Sequence, residues 1–189
     1  DHRDLHSFPT RRSSDLGTRD ANALATVFLV PEEFDLPPIS TRRFVELNAP
    51  FYKGFDHSLF ETSMVEFELG LDENLGTMSY GQKKKYLVSF GLATKTPLLL
   101  LDEPTNGLDI PSKSQFRKIM AKIASDDRCI VISTHQVRDL SSMIDHAVMV
   151  DKGKIVFDHS YRAISENLTF KHVTGDMPDH TIYAESHAS

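Results

Sequence analysis

Three short apolar runs, each followed directly by polar residues, constrain the fold of this chain more than any other feature. The runs are continuous, without alternating polar side chains, and cover residues 27–30, 98–101 and 129–132. This pattern is typical of strands that are covered on both faces, as in parallel sheets. The polar residues that follow them lie at 31–33, 102–103 and 133–135. In a parallel sheet these residues share the carboxyl edge, where open α/β sheets bind ligands.

The segments between the runs predict helices and one hairpin. After Pro111, apolar residues recur at helical spacing on one stripe: Phe116, Ile119, Met120, Ile123 and Ala124. This pattern indicates a helix that crosses over between two parallel strands. A shorter helix is predicted after His135, and a hairpin is predicted from residues 147–150 and 155–157. The predicted fold class is therefore α/β, with a mostly parallel sheet as its core.

Residues from about 34 to 77 differ from the rest and predict an α-helical lobe inserted into this core. Ser40 is a good N-cap for a helix with an apolar set of side chains: Phe44, Val45, Leu47, Phe51 and Tyr52. A second helix is predicted from the spacing of Phe60, Met64, Phe67 and Leu71. Six of the chain's 12 phenylalanines lie here, and two interpretations stay open. They fill the core of the lobe, or some of them line an apolar docking groove.

Composition limits the classes of function. The chain has 189 residues, with 21 basic and 27 acidic side chains and a formal charge of −6. A broad positive field that attracts nucleic acid is therefore not expected. Cys129 is the only cysteine and cannot form an internal disulfide, and the N-terminus has no apolar secretory stretch. Together these features indicate a protein located in the reducing cytoplasm.

The two ends of the chain are not expected to belong to the folded domain. Residues 1–16 lack apolar periodicity and resemble translated adapter sequence, so they are expected to be foreign or disordered. His2 and His6 within them are not taken as metal ligands. Residues 169–189 are polar and are expected to form a tail. The predicted domain therefore spans residues 17–168.

Asp102 and Glu103 place two carboxylates at the end of a buried strand. Such groups are costly to remove from water and need a cation, hydrogen bonds or water as partners. Mg²⁺ suits them because it takes oxygen ligands and binds beside substrate phosphates. Asp102 is therefore the candidate metal residue, and Glu103 is the candidate base for an attacking water. The alternative is a carboxylate pair that caps the following turn.

A second candidate site lies at residues 78–82, before this strand. Ser79 offers an N-cap hydroxyl, Gly81 permits close approach to the backbone, and the following helix offers free N–H groups to an anion. The three lysines at 83–85 are poor partners for the positive end of the helix dipole. They would repel one another less beside a polyphosphate, but at least two of them are expected on a solvated face.

Taken together, these motifs resemble those of the ATP-binding-cassette ATPases that power membrane transporters. Residues 78–82 (Met-Ser-Tyr-Gly-Gln) resemble the signature motif LSGGQ, residues 98–103 the Walker B strand, and residues 105–109 the D-loop. Residues 133–135 resemble the switch-histidine segment, and Glu32 stands at the Q-loop position. Five motifs in family order are far more specific than any one of them. The resemblance implies a P-loop NTPase-like core that binds ATP and Mg²⁺.

The resemblance also implies roles for the site residues. Asp102 would hold Mg²⁺ through water, Glu103 would polarise the hydrolytic water, and His135 would contact the γ-phosphate. The alternative for His135 is a buried structural histidine. Cassettes of this family sandwich two ATP molecules between paired chains, so Asp109 would lie at the dimer seam. The signature residues would bind ATP held by the second subunit; they are Ser79, Tyr80, Gly81 and Gln82.

Two residues depart from the family pattern, and one motif is absent. Glu32 replaces the usual Gln and would bring a second carboxylate toward the metal, and Tyr80 replaces the first signature Gly. No GxxxxGKS/T phosphate loop occurs in the chain. Residues 17–26 are too few for the roughly 30-residue βαβ unit that carries such a loop. We therefore expect an N-terminally truncated fragment that, as written, binds ATP poorly and hydrolyses little.

The function predicted from these motifs is ATP-driven transport of an unknown solute. The subunit would be cytoplasmic and peripheral on the inner face of the cell membrane. A transmembrane subunit would dock on the helical lobe, and a second cassette subunit would complete the ATP sites. No nucleic-acid partner is expected. Two alternatives stay open: a soluble cassette ATPase that acts on ribosomes or DNA, and a non-enzymatic scaffold that pairs without turnover.

Overall fold

The computed structural model describes residues 21–123, 128–137, 140 and 143–168. Its helices and strands are, in chain order, α1 (Ala21–Leu24), β1 (Val27–Val30), α2 (Thr41–Asn48), α3 (His57–Glu66), α4 (Tyr80–Ala93), β2 (Leu98–Asp102), α5 (Ile110–Ile123), β3 (Cys129–Ser133), β4 (His146–Asp151), β5 (Lys154–Ser160) and α6 (Tyr161–Asn167). Short 3-10 helices lie at Ala49–Phe51 and Leu75–Thr77. The chain divides into two compact units, one up to Met143 and one from Ile144 onward.

The first unit is built on a parallel sheet with the strand order β1-β2-β3. Val30 of β1 pairs with Leu101 of β2, and Asp102 of β2 pairs with Ser133 of β3. The three strands therefore end together at one edge. This arrangement confirms the three predicted strands, their shared carboxyl edge and the predicted α/β class.

The expectation that every strand is covered on both faces is wrong for β3. β1 and β2 contact α4, and Val30, Leu99 and Leu101 are buried. In β3, half-buried and exposed residues alternate, and Val131 is 47% exposed. Among the described residues, β2 is the one element with which β3 makes extensive contact. β3 is therefore covered less than β1 and β2 by the residues that the structure describes.

Ser40 caps α2 as predicted, because its side chain accepts a hydrogen bond from the N–H of Arg43. α2 ends at Asn48, before the end of the predicted apolar stripe, and Phe51 is 70% exposed. Pro50 lies in the first turn of the 3-10 helix that follows. Proline has no N–H and disfavours continuation of an α-helix. The prediction that Phe51 belongs to the α2 stripe is therefore wrong.

α3 also ends earlier than its sequence pattern predicts. Asp56 caps its first turn by accepting a hydrogen bond from the N–H of Leu59, and Phe67 ends the helix while remaining buried. Glu68 then adopts a positive φ of 57°, a left-handed conformation that an α-helix cannot contain. Leu71 lies beyond this turn and is 39% exposed, so it does not extend the buried face of the helix.

Aromatic rings fill the space between the lobe, β1 and α4. Phe90 of α4 lies at the centre, and its ring centroid is 5.1 to 6.2 Å from four others: Phe28, Phe44, Tyr52 and Phe55. The rings meet at tilted or edge-to-face angles, which favour their electrostatic interaction. Phe60 and Phe67 are also buried. Packing is therefore the main role of the lobe phenylalanines, and Phe51 is the exposed exception.

α5 is the predicted crossover helix between β2 and β3. Pro111 lies in its first turn, where the missing N–H has no helical partner to lose. Its buried residues are Ser112, Phe116, Ile119, Met120 and Ile123. The predicted apolar stripe is thus confirmed up to Ile123, whereas Ala124 lies outside the described residues. Two lysines of α5 also bind Glu66 of α3: Lys118 at 2.7 Å and Lys122 at 3.1 Å.

The second unit contains the antiparallel hairpin of β4 and β5, followed by α6. Lys152 and Gly153, between the strands, have positive φ values of 47° and 74°. Two successive positive φ values are the requirement of the type I′ turn, whose twist suits a two-residue hairpin loop. The predicted hairpin is confirmed, and its strands extend further than the sequence pattern predicts.

Three predictions concern residues outside the described ranges. They are the foreign or disordered segment at 1–16, the polar tail at 169–189 and, in the short helix predicted after His135, residues 138, 139, 141 and 142. Within the described ranges, no helix has the length and apolar character needed to cross a bilayer.

Gly91 lets α4 pack directly against β1, and this contact predicts the effect of a substitution. A Cβ atom at Gly91 would lie 2.9 Å from Cδ1 of Phe28 and 3.1 Å from Cγ2 of Val30. Overpacking of this kind costs about 1–3 kcal/mol, whereas alanine gains about 1 kcal/mol in helix propensity over glycine. Gly91→Ala should therefore lower the free energy of unfolding by up to about 2 kcal/mol, as measured by urea denaturation.

Gly54→Ala is the matched control for this prediction. A Cβ atom at Gly54 would have its nearest neighbour, Cβ of Lys95, at 3.5 Å, which is an ordinary contact. The control should leave the free energy of unfolding unchanged or raise it by about 0.4–1 kcal/mol. Equal destabilisation by both substitutions would contradict the role given to Gly91.

Candidate active site

The carboxyl edge of the β1-β2-β3 sheet holds the acidic pair predicted from the sequence. Asp102 is the last residue of β2, and the N–H of Glu103 donates to the carbonyl of Ser133 at 3.0 Å. Glu103 has a positive φ of 43°. This conformation is strained for a residue with a side chain, and such strain is concentrated at functional sites. The change of backbone direction after Asp102 gives the two carboxylates different partners.

The carboxylate of Glu103 is bound through both of its oxygens. Oε1 accepts a hydrogen bond from the backbone N–H of His135 at 2.9 Å and lies 2.7 Å from Nδ1 of the same residue. Oε2 accepts a hydrogen bond from the hydroxyl of Thr134 at 3.0 Å. Burial of this side chain, which is 13% exposed, opposes its ionisation. The hydrogen bonds from His135 and Thr134 outweigh burial and hold the pKa of Glu103 below its usual value.

Asp102 and His135 belong to the same edge as Glu103. The hydroxyl of Ser133 donates to Oδ1 of Asp102. The side chain of His135 is 71% exposed, which does not fit the alternative of a buried structural histidine. The carboxylates of Asp102 and Glu103 bind residues 133–135, so their described side-chain contacts do not fit the alternative of a cap on the following turn. The structure thus brings Asp102, Glu103 and His135 together.

Glu32 follows β1 at this edge and contacts two other predicted motifs. Its Oε1 accepts a hydrogen bond from the side-chain amide of Asn106 at 2.7 Å. Its backbone carbonyl accepts a hydrogen bond from the hydroxyl of Tyr80. Asn106 belongs to the D-loop-like segment, and Tyr80 belongs to the signature-like segment. Asn106 was not predicted as a site residue, because its contact with Glu32 joins residues 74 positions apart in the sequence.

The signature-like residues form the N-terminal end of α4. Ser79 accepts a hydrogen bond from the N–H of Gln82 at 3.2 Å, and Oε1 of Gln82 accepts one from the N–H of Ser79 at 2.9 Å. This capping box leaves the N–H groups of Tyr80 and Gly81 at the open end of the helix, where anions bind. A Cβ atom at Gly81 would lie 3.4 Å from the carbonyl oxygen of Gly107, so this end of α4 also adjoins the D-loop-like segment.

Asp109, the remaining predicted site residue, caps α5. Its Oδ1 accepts a hydrogen bond from the N–H of Ser112 at 2.9 Å. Hydrogen bonds from the side chain and backbone of Ser112 lower the pKa of Asp109. This cap gives the carboxylate a structural role within the chain. The placement of Asp109 at a dimer seam stays a prediction.

Lys84, like Asn106, was not predicted from the sequence as a residue of this site. Lys83 and Lys85 are half-buried and Lys84 is fully buried, so the expected solvated face does not include Lys84. The sequence did contain a signal: Lys84 precedes Val88 by one helical turn, and Val88 is also buried. α4 contacts α3, β1 and β2, so it buries more than the one apolar stripe considered.

The oxygen groups at this edge fit Mg²⁺ bound beside phosphate. Mg²⁺ takes oxygen ligands and keeps several waters, and Glu32 and Asp102 supply carboxylates at neighbouring strand ends. In the part of the chain that the structure describes, no group of three or more His, Cys, Asp or Glu side chains is arranged to hold a metal. A magnesium ion here would therefore take most of its ligands from phosphate and water.

A protein-family model matches the part of the chain that contains this site and the sheet that carries it. The family model described as "AAA domain, putative AbiEii toxin, Type IV TA system" matches residues 2–138, which is more than half of the chain. The chain belongs to this AAA-domain family. Membership of this family implies nucleotide binding.

Curated relatives of this AAA-domain chain are named as ATP-binding proteins of transport systems. It is 28% identical over 136 residues to the "Ribose import ATP-binding protein RbsA" of Jannaschia sp. (strain CCS1), and this alignment covers 71% of the chain and 26% of RbsA. It is 27% identical over 118 residues to the "Zinc uptake system ATP-binding protein ZurA" of Listeria monocytogenes, and this alignment covers 62% of the chain and 44% of ZurA. The chain thus spans less than half the length of these relatives. They confirm the resemblance to ATP-binding-cassette ATPases.

Solved structures show the same fold. "Structure of ATP binding subunit of ABC transporter" matches with a TM-score of 0.68 at 22% identity, covering 77% of this chain and 63% of that chain. "Structure of a bacterial Atm1-family ABC exporter with ATP bound" matches with a TM-score of 0.61 at 17% identity, covering 75% of this chain and 26% of that chain. The predicted P-loop NTPase-like fold is therefore confirmed for this AAA-domain chain.

Thr134→Val should raise the pKa of Glu103, because it removes a hydrogen bond that stabilises the charged carboxylate. A ¹³C NMR titration of the labelled Glu103 carboxylate measures this change. Because folding lowers the pKa of Glu103, its stabilising effect is complete above the pKa of an unfolded glutamate and is lost as pH falls through the folded value. The stability difference between wild type and variant should therefore shrink as the pH falls through this window.

Thr62→Val is the control for this titration, since Thr62 is exposed on α3. It should leave the pKa of Glu103 unchanged. An unchanged Glu103 pKa in Thr134→Val would show that the hydroxyl contact does not stabilise the carboxylate.

Proposed function

We propose that this chain supplies catalytic residues to an ATP-binding-cassette ATPase that drives transport of a solute across a membrane. The observation that supports the proposal best is the binding of the Glu103 carboxylate by His135, next to Asp102 at the edge of a parallel sheet. Relatives named for ribose import and zinc uptake support a transport role. Their solutes differ, so the proposal does not extend to a particular solute.

Each residue of this edge has a role in the proposal. Glu103 polarises the attacking water, and its lowered pKa keeps it charged near neutral pH. Nδ1 of His135 faces Glu103, so Nε2 is the nitrogen available to the γ-phosphate. Asp102 and Glu32 would hold the water shell of Mg²⁺. When bound, Mg²⁺ neutralises the charge that develops on the phosphates.

A second ATP-binding subunit, identical or different, completes the proposed assembly. Ser79, Tyr80, Gly81 and Gln82 would meet the γ-phosphate of ATP held by that subunit, and Asp109 would lie at the seam. Ser79 and Tyr80 are exposed in the single chain, as this role requires. Because ATP would contact both subunits, its binding would favour the closed pair and its hydrolysis the open pair.

A surface cleft of about 440 Å³ on the helical lobe is the proposed docking place for a transmembrane subunit. The residues that line it are Val45, Glu46, Ala49, Pro50, Tyr52, Lys53, Phe55 and His57. The cleft has an apolar wall and a charged rim, which is the usual anatomy of a protein interface. The neighbouring ring of Phe51 is 70% exposed. Docking here would place the subunit at the cytoplasmic face of the membrane.

Glu103→Gln in the complete protein should lower the rate of ATP hydrolysis by about 10²–10⁴-fold and leave ATP binding intact. Glutamine keeps the size of the side chain but lacks the charge that polarises water, and loss of a general base typically costs about 10²–10⁴-fold in rate. Phosphate release and retention of radiolabelled ATP are the two measurements. Glu61→Gln, at an exposed position of α3, is the control and should behave as wild type. Wild-type turnover by Glu103→Gln would remove this residue from the mechanism.

Phe51→Ser should weaken co-purification of the complete protein with its transmembrane subunit, because it removes an exposed ring beside the cleft. Val65→Ser is the matched control, since Val65 is 69% exposed on α3 and does not line the cleft. Both variants should keep the wild-type thermal midpoint. Equal loss of co-purification in both, or in neither, would count against docking at this cleft.

A further inference from the structure

We propose that Lys84 is a positioning residue that fixes the Glu32 and Asp102 segments of the active site relative to α4 and to each other. The inference rests on the proposed ATPase function for its effect on turnover. Its structural part stands on the contacts of Lys84 alone. Lys84 itself touches no reacting group in this proposal.

The ammonium group of Lys84 binds the ends of two neighbouring strands. Nζ donates to the carbonyl oxygens of Pro31 at 3.1 Å, Glu32 at 3.2 Å and Asp102 at 3.2 Å. A lysine ammonium has three protons, so three carbonyl contacts use its full donor capacity. Pro31 and Glu32 follow β1, and Asp102 ends β2. One side chain of α4 therefore joins both segments that carry the candidate metal carboxylates.

The surroundings of Lys84 favour a fixed position. The residue is fully buried, and the ring of Phe34 lies 5.5 Å from Nζ. Burial lowers the pKa of Lys84, whereas the nearby charges of Glu32, Asp102 and Glu103 act in the opposite direction. The ammonium thus lies within the electrostatic reach of all three carboxylates. A buried charge is costly to leave without partners, so the carbonyl contacts and the ammonium hold one another in place.

Tyr80, one turn before Lys84 on the same face of α4, makes a second contact with the Glu32 segment. Its hydroxyl donates to the Glu32 carbonyl, and its ring stacks on Phe34 with centroids 5.2 Å apart. The carbonyl of Glu32 therefore has two donors from one helix. A shift of α4, whose first turn carries the signature-like residues, would move the Glu32 and Asp102 segments with it.

Hydrogen exchange of the complete protein without nucleotide tests the structural part. Lys84→Met keeps the apolar stem but removes all three donors, so peptides covering residues 31–34 and 102–104 should exchange about tenfold faster. Lys84→Gln retains an N–H donor without the charge and should restore part of the protection. Lys83→Met, one residue earlier and half-buried, should match wild type. Wild-type exchange of both peptides in Lys84→Met would overturn the proposal.

Steady-state ATP hydrolysis by the same variants tests the effect on turnover. Lys84→Met should lower kcat about tenfold at saturating ATP and Mg²⁺ while changing KM for ATP by less than about twofold. Lys84→Gln should recover most of kcat. If Lys84 only stabilises the fold, Lys84→Met should yield less folded protein, and the folded fraction should keep the wild-type kcat and KM. That result would overturn the positioning role. An inactive wild type with the expected exchange would refute the ATPase function and leave the structural part supported.

Lys84→Gln keeps the proposal testable if Lys84→Met does not fold, and Tyr80→Phe tests the second contact of α4 with the Glu32 segment. Tyr80→Phe removes one hydroxyl donor at a position that is 45% exposed. Exchange should increase in the peptide covering residues 31–34 and stay at the wild-type rate in the peptide covering 102–104, because Tyr80 has no described contact with Asp102. Equal acceleration of both peptides, or of neither, would overturn the assignment of separate contacts.

Discussion

One buried ammonium lies where the ends of two strands meet a helix, and the charges of three carboxylates act on it. Carbonyl groups at the end of a parallel strand have left the sheet ladder and need other donors. Lys84 supplies those donors to Pro31, Glu32 and Asp102, and the carbonyl dipoles in turn reduce the cost of burying its charge, which would otherwise be several kcal/mol. One ammonium can reach the carbonyls at both strand ends only because β1 and β2 are in register, with Val30 opposite Leu101. The geometry of the acidic edge therefore depends on sheet register and on α4 together.

Glu103 shows how this scaffold presents a reactive group. A strained backbone conformation turns the chain after Asp102, and the carboxylate is then held through both oxygens by Thr134 and His135. These hydrogen bonds keep the group charged despite partial burial. A charged and oriented carboxylate suits general-base chemistry, whereas a carboxylate that only capped a turn would bind its own segment. Strain of this kind is concentrated at functional sites.

The two departures from the family pattern meet in space. Glu32 stands where glutamine is usual and Tyr80 where glycine is usual, and the Tyr80 hydroxyl binds the Glu32 carbonyl. Asn106 binds the Glu32 carboxylate from the D-loop-like segment. A glycine at position 80 could make no such side-chain contact. Tyr80 therefore ties the signature-like end of α4 to the segment after β1, through a backbone carbonyl that a glutamine at position 32 would offer equally.

The sequence by itself determined the features that depend on neighbouring residues. Strand positions follow from continuous apolar runs, and the caps at Ser40 and Ser79 follow from side chains that bind N–H groups three residues onward. The early end of α2 at Asn48, two residues before Pro50, was also local, but the apolar stripe concealed it. Motif order placed Asp102, Glu103 and His135 at one edge, since parallel strands bring their carboxyl ends together.

Only the tertiary structure decided which distant side chains bind the residues at the carboxyl edge of the sheet. The burial of Lys84, the contact of Asn106 with Glu32 and the exposure of β3 all depend on elements far apart in the chain. A charged residue near a helix N-terminus is usually solvated, so its sequence context favours the wrong environment for Lys84. Burial of the Lys84 ammonium becomes favourable only when three carbonyl groups bind it. These groups come from segments that are distant in the sequence, and only the folded chain brings them together.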